Sequence, residues 1–422
     1  MTAKKNNAIL TKLKWQKNKP HTLGENMDLF DKCRDFKIVD ELINKGIYPY
    51  FHALETKQGP EVVMEGINEI MLGSNNYLGL TAHPEVIEAG VKALQEYGSG
   101  CSGSRFLNGT TKLHLALEKE LAEFLHKEDC VTYSTGFQTN LGVISTIVGR
   151  NDYIIGDKEN HASIYDGAKL SYTKQLLRYK HSDMEDLERQ LASLPLDSGK
   201  LIVTDGVFSM GGDICKLPDI VRLAKKYNAR VMIDDAHGFG VIGEGGRGTA
   251  SYFGLEDEVD IIMGTFSKSL ASIGGYVVAS KEVCKFLKHN SRPYIFCASI
   301  TPASVQCARK ALEIIKREPE RPKRLMELAD YARKCLREKH VDIRDSQAPI
   351  IPINTYDNEV TFLACKKLFE NGVYVNPVVS PAVPVGESII RTSYMATLTH
   401  EQIDRATDII AKVMAELNLL KK

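Results

Sequence analysis

The chain has 422 residues, enough for a large buried core, and its 43% hydrophobic and 26% charged residues match ordinary globular proteins. Basic and acidic residues number 54 each, so no global charge points to nucleic acid or an acidic partner. Nine scattered cysteines without CxxC pairs suit reduced thiols in a cytoplasm, and neither a membrane-spanning run of about eighteen apolar residues nor a secretory leader is expected.

In chain order, the first twenty residues hold Lys4, Lys5, Lys12, Lys14, Lys17 and Lys19 without an acid, interleaved with Ile9, Leu10, Leu13 and Trp15. Two readings fit: a solvated arm, or a weak interfacial helix drawn to anionic lipid. A helix is predicted over 36–45, stopped by Gly46. Two β-like pieces follow at 48–55 and 61–71, joined by the turn Gln58-Gly59-Pro60. From about 75 to 300, apolar runs alternate with helical patterns; the runs are 130–133, 153–155, 201–204, 231–233, 261–263 and 276–279. Such alternation predicts an α/β fold with a mainly parallel sheet covered on both faces. A helical stretch over 301–338 leads into mixed elements, including strands at 350–354 and 388–392, which predict a smaller α+β domain. The expected division is an arm and small segment (1–60), a large cofactor-binding domain (61–300) and a C-terminal domain (301–422).

In open α/β sheets, ligands gather beyond the carboxyl ends of the strands. Here the segments 134–137, 157–161, 206–209, 234–237 and 265–268 each directly follow a predicted strand. Lys268 stands in Gly264-Thr265-Phe266-Ser267-Lys268, where a rigid, partly buried lysine can form an imine with a carbonyl cofactor. Asp234, leaving a buried strand, can keep a pyridinium nitrogen protonated. Thr265 and Ser267 offer hydroxyls to a phosphate, and Gly136 and Phe137 open a helix whose free N–H groups suit the same anion. Together these are the parts needed to bind pyridoxal 5'-phosphate. Asp234 and His237 could instead ligate a metal, although no further His/Cys cluster accompanies them. Ser209 is a candidate to lie beside the cofactor ring, its bland reading being a turn hydroxyl. Arg391, after an apolar run, suits bidentate capture of an amino acid's carboxylate, and Asn75 is a candidate for the same group.

The chain resembles the α-oxoamine synthase family of fold-type I enzymes dependent on pyridoxal phosphate, which join an amino acid to an acyl thioester with loss of carbon dioxide. The resemblance runs from about Asn75 to the C-terminus. It rests on Asn75-Asn76-Tyr77-Leu78-Gly79-Leu80, Ser134-Thr135-Gly136-Phe137-Gln138-Thr139-Asn140, His161-Ala162-Ser163, Asp234-Asp235-Ala236-His237-Gly238, the Lys268 segment and Arg391-Thr392-Ser393. Within the family, the stretches 104–110, 161–167 and 292–296 look most like the serine palmitoyltransferase branch. The aminooxononanoate, aminoketobutyrate and aminolevulinate synthases remain alternatives. Two positions depart from the pattern: the loop Ser380-Pro381-Ala382-Val383-Pro384, and Leu398-Thr399 in place of a His-Thr pair.

The resemblance implies an aspartate aminotransferase-like fold with a seven-stranded, mainly parallel sheet. It implies that Lys268 holds the cofactor and later acts as base, and that Asp234 pairs with the ring nitrogen. It further implies that His237 meets the ring's phenolic oxygen, and that His161 covers the ring and orients substrate. L-serine and a long-chain acyl thioester are the expected substrates. A cytoplasmic homodimer with shared active sites is implied too, with the loop 98–104 reaching the partner. A non-catalytic relative would lack Lys268, and a plain aminotransferase lacks the His161 and Arg391 contexts.

Overall fold

The computed structural model describes residues 28–421, so the lysine-rich arm at 1–20 lies outside the described residues. Seven strands form the main sheet in the order Asp129–Tyr133, Gly275–Ala279, Ile261–Thr265, Arg230–Asp234, Lys200–Asp205, Tyr153–Asp157 and Gln175–Tyr179. Only Gly275–Ala279 runs antiparallel to its neighbours, so the sheet is mainly parallel, as expected. The central strands are buried along their whole length because helices cover both faces, which explains why they read as unbroken apolar runs. One core cluster holds Ile202, Ile233, Ile262 and Val278; the other holds Ile154, Val203, Met232 and Val277. Alternate residues of each strand therefore serve opposite faces.

The predicted strands are extended by one or two residues but not displaced. The strand Gln175–Tyr179 was not foreseen. It lies at the sheet edge, is partly exposed, and carries the charged Arg178 stacked 3.8 Å over the Tyr165 ring. An edge strand has one unpaired side and loses the apolar signature of its buried neighbours.

Four local expectations need correction. The early helix is shorter, Ile38–Asn44, although Gly46 does end it with φ +63°. Residues 48–55 form no strand; only a bridge from Leu54 to Met64 remains. The piece at 61–71 is a hairpin, Glu61–Met64 and Ile67–Met71, turned at Glu65-Gly66, where both residues have positive φ. The stretch 301–338 is two helices, Pro302–Arg317 and Glu320–Glu338, parted at Pro319 because proline cannot continue a helix interior.

Strands Ile350–Tyr356, Ser388–Ser393 and Asn376–Val378 form a separate antiparallel sheet. Ile67–Met71 also pairs with Val373–Tyr374, and both sheets share a core with Glu320–Glu338 and His400–Glu416. Thr399, at one departure from the family pattern, caps the last helix by accepting from the Gln402 N–H at 3.1 Å. Among the described residues, no helix is long and apolar enough to cross a membrane.

Candidate active site

A cavity of about 340 Å³ opens beyond the carboxyl ends of the parallel strands, where this topology places ligands. Gly136, Phe137, His161, Ser209, Asp234, His237, Thr265, Ser267 and Lys268 all line it. Nine residues from five separate strand ends meet because parallel strands deliver their C-termini to one edge.

Lys268 follows the strand Ile261–Thr265, and its amine makes no hydrogen bond to any described residue. Burial pushes its ammonium from the usual 10.5 down to about 8; the Arg391 charge adds to this, while Asp234 opposes it. Asp234 accepts hydrogen bonds from Asn140 Nδ2 at 2.7 Å and from the Ala236 N–H at 3.1 Å. The adjacent Asp235 has a different task. Its carboxylate turns away to Thr249, accepting from Oγ1 at 2.6 Å and from N–H at 2.8 Å, and a Cβ on Gly238 would lie only 1.9 Å from its Oδ1. Strand alternation separates a carboxylate that faces the cavity from one that holds the fold.

The cradle of an anion is visible in the backbone. Thr135 caps the helix Gly136–Ile147 by accepting from the Gln138 N–H, which leaves the Gly136 and Phe137 N–H groups without a partner among the described residues. Thr265 Oγ1 lies 3.0 Å from Ser267 Oγ, so two hydroxyls flank that helix end. A Cβ on Gly136 would sit 2.7 Å from Thr265 Oγ1, so the approach of helix to hydroxyl requires glycine. Free N–H donors, two hydroxyls, an unbonded amine and a strand-end carboxylate fit the phosphate, carbonyl and ring nitrogen of pyridoxal phosphate. No group of three or more His, Cys, Asp or Glu side chains placed to hold a metal ion occurs among the described residues.

His161 caps the helix Ala162–Leu170, with Nδ1 2.7 Å from Ser163 Oγ. Asn140 donates to the same Ser163 Oγ at 2.8 Å, so His161, Ser163, Asn140 and Asp234 form one chain of hydrogen bonds. Burial lowers the His161 pKa, opposed by Asp234. His237 is held more tightly. Burial, reinforced by the Lys268 and Arg391 charges, drives its pKa well below the usual range, so the ring is neutral.

Arg391 and Asn75 join this wall through a residue the motif reading did not single out. Tyr77 is fully buried, with its hydroxyl 2.7 Å from His237 Nδ1 and 3.3 Å from Asn75 Oδ1. Arg391 donates to Tyr77 at 3.4 Å, Asn75 Oδ1 at 3.0 Å, Ser393 Oγ at 2.7 Å and the Ser209 carbonyl at 2.6 Å. All four acceptors are neutral. A buried guanidinium with no carboxylate partner among the described residues is suited to take one from a ligand. Asp205 was also missed. It ends the strand next to Asp234, and burial together with the Asp234 charge holds its carboxyl well above the ordinary range. The strand-end rule that found Asp234 would have found it; Asn140 needed the helical spacing of four from Gly136.

The loop 98–104 is tied down by hydrogen bonds within the chain. Ser299 N–H donates to the Gly103 carbonyl at 2.9 Å, and Asn108 donates to the Cys101 carbonyl at 3.2 Å. Arg105 behind it makes a buried two-pronged ion pair with Glu118, at 2.7 and 3.0 Å.

Known proteins are similar to this chain in sequence and fold. The family model described as aminotransferase class I and II matches residues 67–410. The chain is 52% identical over 391 residues to a serine palmitoyltransferase of Sphingobacterium spiritivorum, covering 93% of this chain and 98% of the relative. It is 40% identical over 383 residues to an 8-amino-7-oxononanoate synthase of Thermoanaerobacter pseudethanolicus, covering 90% and 97%. A solved serine palmitoyltransferase of S. paucimobilis, with bound PLP and myriocin, matches at a TM-score of 0.90 and 35% identity, covering 93% of this chain and 100% of that one.

Proposed function

Because this chain belongs to the class I and II aminotransferase family, on the α-oxoamine synthase branch that includes serine palmitoyltransferases, we propose that it condenses L-serine with a long-chain acyl thioester of the palmitoyl-coenzyme A type. Carbon dioxide and the thiol leave, and the product is a 3-keto long-chain base, 3-ketodihydrosphinganine, at the entry to sphingolipid synthesis. The observation that carries this reading is the unbonded Lys268 amine facing Asp234 across one cavity, with Arg391 unneutralised behind it.

Pyridoxal phosphate, when bound, supplies a ring that accepts the charge developing at the amino acid's Cα. Lys268 would hold it covalently through Nζ until the serine amine displaces it, and Asp234 would pair with its ring nitrogen. Gly136, Phe137, Thr265 and Ser267 would hold its phosphate, and His237 and Ser209 would meet its ring oxygen. Arg391, with Asn75, binds the serine carboxylate and thereby orients the Cα–H bond toward Lys268 Nζ. The neutral Lys268 amine then takes the Cα proton as base. His161 covers the ring and orients the substrate's carboxylate or thioester carbonyl, as a donor whose proton is steadied by Ser163.

The same reading includes a cytoplasmic homodimer with shared sites and weak peripheral contact of the arm with membranes. Exposed Phe106, Leu107 and Phe296 support the dimer, since large exposed apolar side chains suit burial against a second copy. The division of the chain near 60 and 300 is part of it as well, although the pairing of Ile67–Met71 with Val373–Tyr374 favours a later first boundary.

Adding serine, glycine and alanine separately to the cofactor-loaded protein, followed by thioesters of increasing length, tests the assignment. Serine should perturb the cofactor spectrum at the lowest concentration, and long-chain thioesters should give the fastest turnover. A preference for alanine with a short dicarboxylate thioester would favour the 8-amino-7-oxononanoate synthase reading that the second relative supports.

A further inference from the structure

Outside the cavity, one histidine is bonded at both ring nitrogens to carboxylates. His181 Nδ1 lies 3.0 Å from Asp157 Oδ1, and its Nε2 lies 3.0 Å from Asp213 Oδ2. Ionised carboxylates only accept hydrogen bonds, so both ring nitrogens must donate and the ring is an imidazolium. Glu159 stands 3.8 Å from the same Nε2, and the ring packs edge-on to Phe208 at 4.5 Å between centroids. Burial works against the charge here, but the hydrogen bonds to Asp157 and Asp213 outweigh it and raise the pKa to about 10.

The two carboxylates support different segments that line the active site. Asp157 ends a strand and shapes the turn leading to His161, accepting from the Glu159 N–H at 2.9 Å and the Ser182 N–H at 2.8 Å. Asp213 closes the loop that begins at Phe208, whose N–H donates to the Asp213 carbonyl at 2.9 Å. That loop carries Ser209, and the Ser209 carbonyl accepts from Arg391 Nε. His181 is therefore a single rigid group spanning the supports of His161 and of Arg391.

We propose that His181 is a positioning residue: by donating to Asp157 and Asp213 at once, it sets the separation between the turn presenting His161 and the loop presenting Ser209 and Arg391. An imidazole suits this because its two donors are fixed in one plane, and neither a single amide nor an ammonium reproduces both directions. Loosening the tie would let Arg391 and His161 drift apart, and a shift of about 1 Å at a positioning group is costly to catalysis.

Two single-ended variants provide the test. His181→Asn places an amide where Nδ1 was and keeps only the Asp157 bond; His181→Gln keeps only the Asp213 bond. In cofactor-free protein, hydrogen exchange should quicken in residues 157–163 and 206–214 together, in both variants. In cofactor-loaded protein, the amino-acid Kd should rise by about tenfold, while cofactor affinity changes far less. The kinetic arm rests on the amino-acid role proposed for Arg391; the exchange arm does not. If the unaltered protein binds no amino acid, that role falls while exchange still decides the tie. Exchange that quickens only in the loop whose own bond was removed would overturn the proposal. So would an unchanged amino-acid Kd in both variants. Should either variant fold poorly, Asp213→Asn keeps an acceptor and weakens the tie; it should quicken both loops to a smaller degree, and an effect confined to 206–214 contradicts the proposal.

Discussion

Lys268 and Asp234 face the same cavity, but their surroundings give them opposite tasks. The lysine is buried and lies near the Arg391 charge, which together favour its neutral form; the aspartate accepts two N–H hydrogen bonds that fix its orientation. Only a neutral amine attacks a carbonyl. With a pKa of about 8, the reactive fraction is near complete above that pH and falls about tenfold per unit below it. The rate of cofactor uptake by cofactor-free protein, followed by visible absorbance, should rise with pH, reach half its maximum near 8 and level off about one unit higher. A rise continuing toward 10.5 would mean that Lys268 is solvated like an ordinary lysine. At Arg391, replacement by Ala should weaken amino-acid binding by about 2–5 kcal/mol, the cost of truncating one partner of a desolvated charge pair. The thioester KM should move less, and equal losses for both substrates would make Arg391 a structural residue.

The site residues legible in the sequence were those at strand ends. There the apolar run stops and a polar residue type reports its own chemistry. Lys268, Asp234, His237 and Ser209 all fall in this class. Tyr77 was quoted within a motif but given no task, because its partners His237 and Arg391 lie 160 and 314 residues away in the chain. No local pattern reports a contact of that range.

Between elements, the helix Gly136–Ile147 fits closely against Thr265. Changing Gly136 to Ala should cost the helix itself little, since alanine is the better helix former. Its Cβ would instead press on Thr265, and overpacking of this kind costs about 1–3 kcal/mol. The melting temperature of cofactor-free protein should therefore fall by a few degrees, and cofactor affinity should fall about tenfold as Thr265 is pushed from the cradle; calorimetry and equilibrium dialysis read the two separately. An unchanged affinity would place the phosphate elsewhere. The same scale shows where pattern reading failed. Buried central strands announced themselves by continuous apolar runs. The edge strand Gln175–Tyr179 did not, and the split at Pro319 was hidden because both helices carry the same amphipathic period.

For the whole molecule, fold class followed from alternation of strands and helices, and the second sheet from the change of pattern after 301. The pairing of Ile67–Met71 with Val373–Tyr374 could not be read locally, since it joins segments 300 residues apart. The arm makes its own prediction. Six lysines near an anionic surface contribute about 1 kcal/mol each, enough for reversible binding. Full-length protein should sediment with anionic vesicles at low salt more than protein lacking residues 1–20, and less at high salt. Equal sedimentation of the two would leave the arm a solvated tail.

The central claim is tested most directly by carboxyl-labelled L-serine. Incubated with cofactor-loaded protein, it should release labelled carbon dioxide only when a long-chain acyl thioester is present, with one free thiol and one keto-base formed per molecule released. Label released at the same rate without thioester, or conversion of serine to its keto acid with no thiol formed, would contradict the account.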